Sequence, residues 1–457
     1  MTLQPTAELG RFVHQWGRQK LAPTVADKAA TCLLDSVGLA LLARHEKTAA
    51  AVRAVLPPAT RQGRTARVWA DGARVTAADA VLANAVAIHA QFHDDSDNAS
   101  WSHPGSFVVS VALAGGELID APMNDVLNAI AVGYDATEWL GAKERVARGL
   151  IERGIRTSPT LGTIGASATA AAILGLDEMQ ATNAIGIASS ITGGVLEPVG
   201  SGSDEWRVQN GHAARGGLLA AQLAQKGVLG APQGLEGAKG LARALAGLSE
   251  TPVEWSAPPR IEAILDICAK PWATLGDNMS VVLAAKLIRD TGVDHRRIAK
   301  VTVKVWRHYA EYPGTAYRGP FVRVAQALAS MIFSTAAILV HGALEYDIPL
   351  DHREDADILR LVPLVEIVPD DDGGPYDADV EVTLVDGTTV ARSARQAPRA
   401  LLFHDRQAAA ELLERRLAAV GRPQGSGAGL ASALFDVIDG KKSMKARAFV
   451  ASVIGQQ

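Results

Sequence analysis

LGTIGASATAAA, residues 161–172, is the stretch of sequence that decides the fold of this chain. Its many small side chains allow helix backbones to approach one another closely, which is typical of a buried helical bundle. Gly175 follows as a stop signal, because glycine readily adopts the left-handed conformation that ends many helices. The glycines do not form the GxGxxG pattern, so the stretch predicts helix packing and gives no support for a dinucleotide site.

Helical spacing of apolar residues fills the first half of the chain around this stretch. We expect helices over Val25–Leu42, Ala77–Ala90 and Phe107–Gly116, with glycine and proline marking their ends. A helical period returns after Asp405 and continues toward the C-terminus. The N-terminal half and the tail are therefore both predicted to be helical.

The character of the sequence changes after Pro259. Ile298–Trp306 alternates apolar and polar residues and is rich in β-branched side chains, which predicts a strand. Two further strands are expected at Leu364–Val368 and Asp379–Leu384. The second strand should return through Asp386-Gly387 to Thr388–Ala391 as a hairpin. Helices are expected at Asn278–Asp290 and Val324–His341. This region is therefore predicted to be α+β.

The fold class that follows is mainly α with a smaller α+β domain. A chain of 457 residues is too long for one ordinary core, so we expect two domains. The all-helical domain is predicted to comprise residues 1–256 and 400–457, and the α+β domain residues 257–399.

The composition argues against several classes of protein. Hydrophobic residues make up 48% of the chain, charged residues 21%, and the formal net charge is -4, so a basic face for nucleic acid is not expected. No apolar run reaches the length of a membrane span, and no export signal is recognisable at the start. Cys32 and Cys268 form no CxxC pair, which is typical of buried thiols in a reducing compartment. We therefore expect a cytoplasmic protein without nucleic-acid or membrane partners.

One short segment concentrates groups that exchange protons near neutral pH. His93–Pro104 carries three aspartates, two histidines and several hydroxyls. Repulsion between like charges raises the pKa of a carboxylate, and an imidazole titrates near neutral pH, as general acid/base chemistry requires. A catalytic or ligand-binding loop and a polar loop that caps the following helix both fit these residues.

A metal site is a further alternative for this segment. His93, Asp95, Asp97 and His103 are chemically suitable, since imidazole and carboxylate bind zinc, manganese and iron. Close spacing along the chain does not establish a convergent geometry, however, and we predict no metal.

Several short motifs follow one another along nearly the whole chain. They are Leu34-Asp35-Ser36-Val37-Gly38, Asn84-Ala85-Val86-Ala87-Ile88-His89 with Asp94-Asp95-Ser96 and His103-Pro104-Gly105, Gly162-Thr163-Ile164-Gly165 with Leu174-Gly175-Leu176, Gly211-His212-Ala213-Ala214 with Leu235-Glu236-Gly237, Lys270-Pro271-Trp272, and Gln326-Ala327 with Phe333-Ser334. Each motif alone is weak, but together they are specific. With them the chain resembles the MmgE/PrpD family.

The resemblance implies a large all-helical domain, a smaller α+β lid inserted into it, and a homodimer. It also implies a pocket between the two domains that works without metal or cofactor. There a small substrate bearing a carboxylate or carbonyl gains or loses a proton next to that group. Such a small molecule is therefore the expected ligand.

At several positions the chain departs from the family pattern. Phe92 stands where the family's Asp-Phe-Asp-Asp-Thr loop has its leading Asp, and Arg156 stands where the family has a His. Trp206 and Gln209 replace the Lys and His of a Lys-Arg-x-His segment, and Leu275 lies where a Cys or His is usual. Loss of positive charge and gain of apolar surface predict a ligand that is less anionic or bulkier than a tricarboxylate.

The catalytic candidates are His103, Asp94, Asp95 and Lys270. His103 is the predicted general base or acid, because an imidazole needs little tuning at neutral pH and Pro104 stiffens its backbone; a structural histidine is the alternative. Asp94 or Asp95 would orient His103 or carry a second proton, unless one of them caps the following helix instead. Lys270 would hold a carboxylate as a point charge.

The candidates for substrate binding are Ser96, Arg156, Trp206, Arg207 and Tyr317. Ser96 would donate to a substrate oxygen, and the arginines would hold carboxylates through their forked donors. Trp206 would form a stacking wall, and Tyr317, in a segment that resembles the substrate-facing turn of the lid, would supply a phenol. The alternatives are arginines that bind the last carbonyls of helices and aromatic side chains that only pack.

We predict a lyase that removes a proton next to a carboxylate or carbonyl and eliminates water from a small organic acid. An epimerase or isomerase, in which groups on opposite faces exchange the same proton, is the first alternative. A non-catalytic relative that binds a small carboxylate is the second, because two expected proton carriers are absent.

Overall fold

The computed structural model describes residues 4–58, 65–397 and 401–455. The chain divides into two compact units. Unit 1 comprises Met1–Leu196, Arg207–Ala269 and His404–Gln457, and unit 2 comprises Glu197–Trp206 and Lys270–Phe403. The domain boundaries expected at residues 257 and 400 stay predictions, because compactness does not show where a unit folds independently.

Helices dominate the described residues, which confirms the mainly α class with a smaller α+β part. In chain order the helices are α1 (Pro5–Trp16), α2 (Pro23–Leu42), α3 (Lys47–Val55), α4 (Ala77–His89), α5 (Pro104–Ile119), α6 (Met123–Leu140), α7 (Arg145–Glu152), α8 (Thr157–Ile173), α9 (Glu178–Ile191), α10 (Glu197–Ser201), α11 (Trp206–Gln225), α12 (Leu241–Ala244), α13 (Met279–Arg289), α14 (Arg307–Ala310), α15 (Val324–Ala329), α16 (Met331–His341), α17 (Asp347–Asp351), α18 (Ala356–Leu361), α19 (Arg406–Ala419), α20 (Ser426–Ile438) and α21 (Ala446–Ile454). Among the described helices, none combines the length and the apolar character needed to cross a lipid bilayer.

The small-residue stretch of the sequence forms most of α8, and every residue of this helix is buried. Glycines bring α8 and α6 into direct contact. A Cβ added at Gly165 would lie 2.1 Å from Oγ1 of Thr137 on α6, and one added at Gly133 would lie 2.0 Å from Oγ1 of Thr169. The close helix approach predicted from this stretch is therefore confirmed.

The C-terminal tail belongs to unit 1 through α19, α20 and α21. Arg416 of α19 donates to the carboxylate of Asp35 on α2 at 2.6 Å and to the Asp35 carbonyl at 3.0 Å. Both side chains are buried. This buried ion pair links α19 to α2. Removal of either partner would leave the other charge buried and uncompensated, which is strongly destabilising.

Unit 1 also contains a two-stranded antiparallel ribbon that the sequence did not predict, so the unit is not purely helical. It is formed by β1 (Thr65–Arg67) and β2 (Arg74–Thr76). Strands of this length are too short to show an alternating pattern. Helix α4 stabilises the ribbon, since the side-chain amide of Asn84 on α4 donates to the carbonyl of Arg67 at 3.0 Å.

Unit 2 contains a four-stranded mixed sheet with the strand order β4-β3-β5-β6. The strands are β3 (Ile298–Trp306), β4 (Val365–Asp370), β5 (Ala378–Leu384) and β6 (Thr389–Ser393). β3 pairs in parallel with β4 and antiparallel with β5, and β5 continues into β6 as a hairpin. The predicted strands and hairpin are confirmed. Helix α13 packs against β5 and β6, and α16 against β4.

The single helix predicted over Val324–His341 is wrong. Ser330 has φ -72° and ψ 114°, an extended conformation, and separates α15 from α16. Its hydroxyl accepts a hydrogen bond from the Phe333 amide at 3.0 Å and so caps α16. A serine that caps a helix competes with the continuous helical backbone, which is why apolar spacing alone missed the break.

The glycines of α11 provide a test of helix packing in unit 1. A Cβ added at Gly217 would lie 2.6 Å from the Ser167 nitrogen and 2.7 Å from the Thr163 carbonyl oxygen, both backbone atoms of α8. We expect Gly217→Ala to lower the free energy of unfolding by about 1–3 kcal/mol, because this backbone has no room to move aside. Urea denaturation followed by circular dichroism measures the change.

Gly216→Ala is the matched control. A Cβ there would meet Cγ2 of Thr163 at 3.5 Å, an ordinary contact, and alanine favours a helix by up to about 1 kcal/mol over glycine. The control variant should be as stable as the wild type or more so. Equal destabilisation by the two variants would contradict the packing of α11 on α8.

Candidate active site

The segment between α4 and α5, residues 90–103, is called the acidic loop from here on. Its backbone is constrained at several points. Phe92 and Trp101 have φ values of 56° and 49°, a left-handed conformation that costs free energy in residues other than glycine. Ser96 pairs with Cys268 through two backbone hydrogen bonds of 2.8 and 2.9 Å. The surrounding structure therefore holds the loop in a conformation that it would not adopt alone.

Asp97 shapes the turn of the acidic loop. Its carboxylate accepts hydrogen bonds from the amides of Ala99 at 3.0 Å and Ser100 at 3.1 Å, and from the Ser100 hydroxyl. Burial raises the pKa of Asp97, and these three donors act against that rise. The contacts assign Asp97 a structural role within the loop.

Asp95 connects the acidic loop to two helices. One carboxylate oxygen accepts a hydrogen bond from the Gly105 amide in the first turn of α5 at 2.9 Å, and the other accepts from the Tyr134 hydroxyl on α6. Burial raises the pKa of Asp95 from 3.8 to about 7, although both donors act to lower it. The sequence left open whether an aspartate here carries a proton or caps the helix, and these bonds are those of a helix cap.

A small cavity borders the buried side of Asp95. It has a volume of about 10 Å³, which is room for about one water molecule, and is lined also by Lys28, Cys32, Asp35 and His404. Burial raises the pKa of the Cys32 thiol to about 12 and lowers the pKa of His404. A cavity of this volume is too small to hold an organic acid.

His103 is half-buried at the end of the acidic loop. Its Nδ1 lies 2.8 Å from the backbone carbonyl of Asp95 and 3.3 Å from the Ser96 hydroxyl. A carbonyl can only accept, so Nδ1 carries a proton and donates it to this oxygen. In the neutral ring the basic nitrogen is then Nε2.

A second histidine, His89, lies at the end of α4 between two charged side chains. Its Nδ1 is 2.7 Å from Oδ2 of Asp94, and its Nε2 is 2.7 Å from Nη2 of Arg156. Arg156 precedes the first residue of α8, and its Nη1 donates to Oε1 of Gln209 at 3.0 Å. Asp94, His89, Arg156 and Gln209 therefore form one continuous hydrogen-bonded chain.

The rings of the two histidines also contact the ring of Phe92. The centroids of His89 and His103 are 5.2 Å apart, and the Phe92 centroid is 5.4 Å from each. Phe92 thus provides an apolar surface beside both imidazoles, at the position where the family loop has a carboxylate.

Arg207 is buried at the start of α11. Its Nε donates to the Ala90 carbonyl at the end of α4 at 2.7 Å and lies 3.7 Å from a carboxylate oxygen of Glu46. Binding of a terminal helix carbonyl is the alternative that the sequence left open for the arginines. Substrate binding by Arg207 stays a prediction.

The other candidates belong to unit 2. Lys270 is fully buried, and its ammonium group donates to the Thr274 carbonyl at 3.4 Å. Trp206 is 2% exposed. Tyr317 donates its hydroxyl to the Pro320 carbonyl at 2.7 Å and lines a pocket of about 560 Å³, within the usual size range for small ligands. The catalytic role of Lys270 and the binding roles of Trp206 and Tyr317 stay predictions.

The sequence assigned no role to three residues that structure the site, namely His89, Tyr134 and Gln209. An imidazole five positions before an aspartate, at the end of a predicted helix, was a usable signal for His89. Tyr134 offered no signal, because its partner is 39 residues away in the chain. Gln209 was noted only as a departure from the family pattern, and its partner Arg156 is 53 residues away. Within residues 4–58, 65–397 and 401–455, no three His, Cys, Asp or Glu side chains converge as metal ligands would.

The raised pKa of Asp95 makes stability depend on pH. The folded state retains a proton on Asp95 up to about pH 7, whereas the unfolded chain loses this proton near pH 3.8. The contribution of Asp95 to the free energy of unfolding is therefore full below pH 3.8 and is lost as the pH rises through 7. Relative to Asp95→Asn, the wild type should lose up to about 4 kcal/mol of unfolding free energy across this range. Urea denaturation from about pH 4 to about pH 8 measures the two slopes.

Tyr134→Phe provides the second arm of this test. It removes a donor that favours the ionised carboxylate, so the pH range over which stability falls should move upward. Parallel pH profiles for the wild type and Asp95→Asn would contradict a protonated Asp95.

Comparison with known proteins identifies the family. The domain described as the MmgE/PrpD N-terminal domain matches residues 7–254. A cis-aconitate decarboxylase-like protein of Aspergillus oryzae is 27% identical over 232 residues, 49% of this chain and 48% of that protein. A cis-aconitate decarboxylase of Aspergillus terreus is 26% identical over 231 residues, 49% of this chain and 46% of that protein. The chain thus spans about half the length of the curated relatives it matches, and the resemblance seen in its motifs is confirmed: it belongs to the MmgE/PrpD family.

Proposed function

We propose that this protein is a lyase that removes a proton next to a carboxylate or carbonyl and eliminates water from a small organic acid. The observation that carries the proposal is the arrangement of His103 beside the Asp94–His89–Arg156 chain. It combines a titratable base with a guanidinium group whose orientation is held. Membership of a family that includes cis-aconitate decarboxylase-like relatives supports a lyase.

His103 is the base in this proposal. Its Nδ1 is bound to the Asp95 carbonyl, so Nε2 accepts the proton from the carbon next to the carboxylate. The electron pair of the broken C–H bond forms the double bond, and the C–O bond to the leaving hydroxyl breaks. The protonated His103 can return the proton to the departing oxygen, so that one water molecule leaves, and the nearby Ser96 hydroxyl is placed to donate to a substrate oxygen.

The charges around His103 favour a substrate with few carboxylates. Arg156 supplies one buried cation, which Asp94 offsets through His89. Phe92 adds an apolar ring beside both histidines. We therefore propose an acid with one or two carboxylates, less anionic than a tricarboxylate, because uncompensated negative charge is costly against such a surface.

Incubation in deuterated water tests the reaction type. Malate, citrate and cis-aconitate serve as probes, and products are followed by NMR. An alkene formed from a hydroxy acid supports the proposal. Deuterium in recovered substrate without an alkene would mean an epimerase or isomerase, carbon dioxide from cis-aconitate would mean a decarboxylase, and thermal stabilisation without turnover would mean a carboxylate-binding protein.

His103→Asn tests the base. We expect kcat on the probe that reacts to fall by about 10²- to 10⁴-fold, the usual contribution of a general base, with circular dichroism unchanged. His14→Asn is the matched control, because His14 is also half-buried and its Nδ1 also lies against a backbone carbonyl, that of Leu176 at 3.1 Å. Unchanged turnover in the His103 variant would remove it from the mechanism.

The homodimer and the cytoplasmic location expected from the sequence belong to this proposal as well. Roles for Lys270, Trp206 and Tyr317 in the reaction belong to it too. Their support is the resemblance of the sequence to the family, and only Trp206 of the three lies within residues 7–254 that the family domain matches.

A further inference from the structure

We infer that His89 is a positioning residue: as a neutral ring protonated at Nδ1, it joins Asp94 to Arg156 and sets the orientation of both. The inference rests on the proposed function for its catalytic meaning. The hydrogen-bonded chain itself is independent of that function.

The tautomer of His89 follows from the chemistry of its neighbours. A guanidinium group has only donors, so Nε2 of His89, 2.7 Å from Nη2 of Arg156, must accept. A ring that accepts at Nε2 is neutral and carries its proton on Nδ1. That proton points to Oδ2 of Asp94 at 2.7 Å, which accepts it.

Burial prevents the ring from changing this arrangement. The side chains of His89 and Asp94 are 0% and 1% exposed, and Arg156 is 3% exposed. A flip of the ring would break both hydrogen bonds where little water can replace them. A second proton on the ring would place N–H against N–H at Arg156. His89 is therefore unsuited to acid/base work, unlike the half-buried His103 whose ring lies 5.2 Å away.

Gln209 completes the support of Arg156. Its amide nitrogen donates to the Val195 carbonyl at 2.9 Å, which turns its amide oxygen toward Nη1 of Arg156. Both terminal nitrogens of Arg156 are thus held by neutral acceptors, one from α4 and one from α11. These two bonds hold the guanidinium in a single orientation, which is what recognition of a substrate carboxylate requires.

Two substitutions of His89 separate its two tasks. His89→Asn retains an N–H near the position of Nδ1 for Asp94 but does not reach Arg156. His89→Gln places an acceptor near the position of Nε2 for Arg156 but loses the donor to Asp94.

If Arg156 binds substrate, His89→Asn and Gln209→Ala should raise KM about 10- to 100-fold, the effect of losing a hydrogen bond to a charged group. His89→Gln should lower kcat and leave KM nearly unchanged.

NMR of the full chain labelled with ¹⁵N-histidine tests the tautomer without any substrate. One imidazole, absent from the spectrum of His89→Gln, should show a protonated Nδ1 and an unprotonated Nε2 from about pH 5.5 to about pH 8.5. Arg156→Lys should shift its Nε2 resonance, whereas the control Arg153→Lys, at an exposed arginine three residues earlier, should not.

The outcomes separate this inference from the proposed function. A protonated Nε2 on His89 at neutral pH would overturn the inference even in an active enzyme, as would equal effects of His89→Asn and His89→Gln on both KM and kcat. Absence of turnover on every probe would instead count against the lyase proposal, and the NMR result would still decide the role of His89.

Discussion

The carboxylate of Asp95 is the group on which both the fold around the acidic loop and the geometry of the site depend. One oxygen caps the first turn of α5 through Gly105, the other holds Tyr134 of α6, and the backbone carbonyl of the same residue orients His103. Burial raises the pKa of this carboxyl to about 7, so its placement costs free energy that the surrounding bonds offset. Gly105 is required for the same reason, since a Cβ there would lie 3.0 Å from both Asp95 carboxylate oxygens.

Two histidines that lie side by side have different chemistry because their neighbours differ. His103 is half-buried and tied to a backbone carbonyl through Nδ1, which leaves its basicity on Nε2. His89 is buried between an aspartate and an arginine, and both of its nitrogens have assigned tasks. The residue type alone does not distinguish a proton carrier from a positioning group. The hydrogen-bond partners of each ring nitrogen make that distinction.

Much of the fold was predictable because it follows from local patterns. β3 spans Ile298–Trp306 as expected, since alternation of apolar and β-branched residues is strong over nine residues. The small residues of α8 predicted close helix contacts, and these are present. Local patterns failed at Ser330, where a side-chain cap interrupts a continuous apolar period, and at β1 and β2, which are only three residues long and depend on contacts with α4. In the acidic loop, His103, Asp94 and Asp95 could be proposed from the sequence because they are neighbours in the chain, whereas Tyr134 and Gln209 could not.

The sequence by itself determined the helical class, the strands and hairpin of unit 2, the family, and the loop in which acid/base groups are concentrated. Each of these depends on residues close together in the chain or on a series of short motifs. Only the tertiary structure decided which aspartate caps α5, which nitrogen of each histidine carries the proton, and that Arg156 is held by His89 and Gln209. The position of Arg156 and the contact of Asp95 with Tyr134 depend on hydrogen bonds between side chains 39 to 67 residues apart, whose partners are chosen by helix packing. No pattern within one segment records that choice.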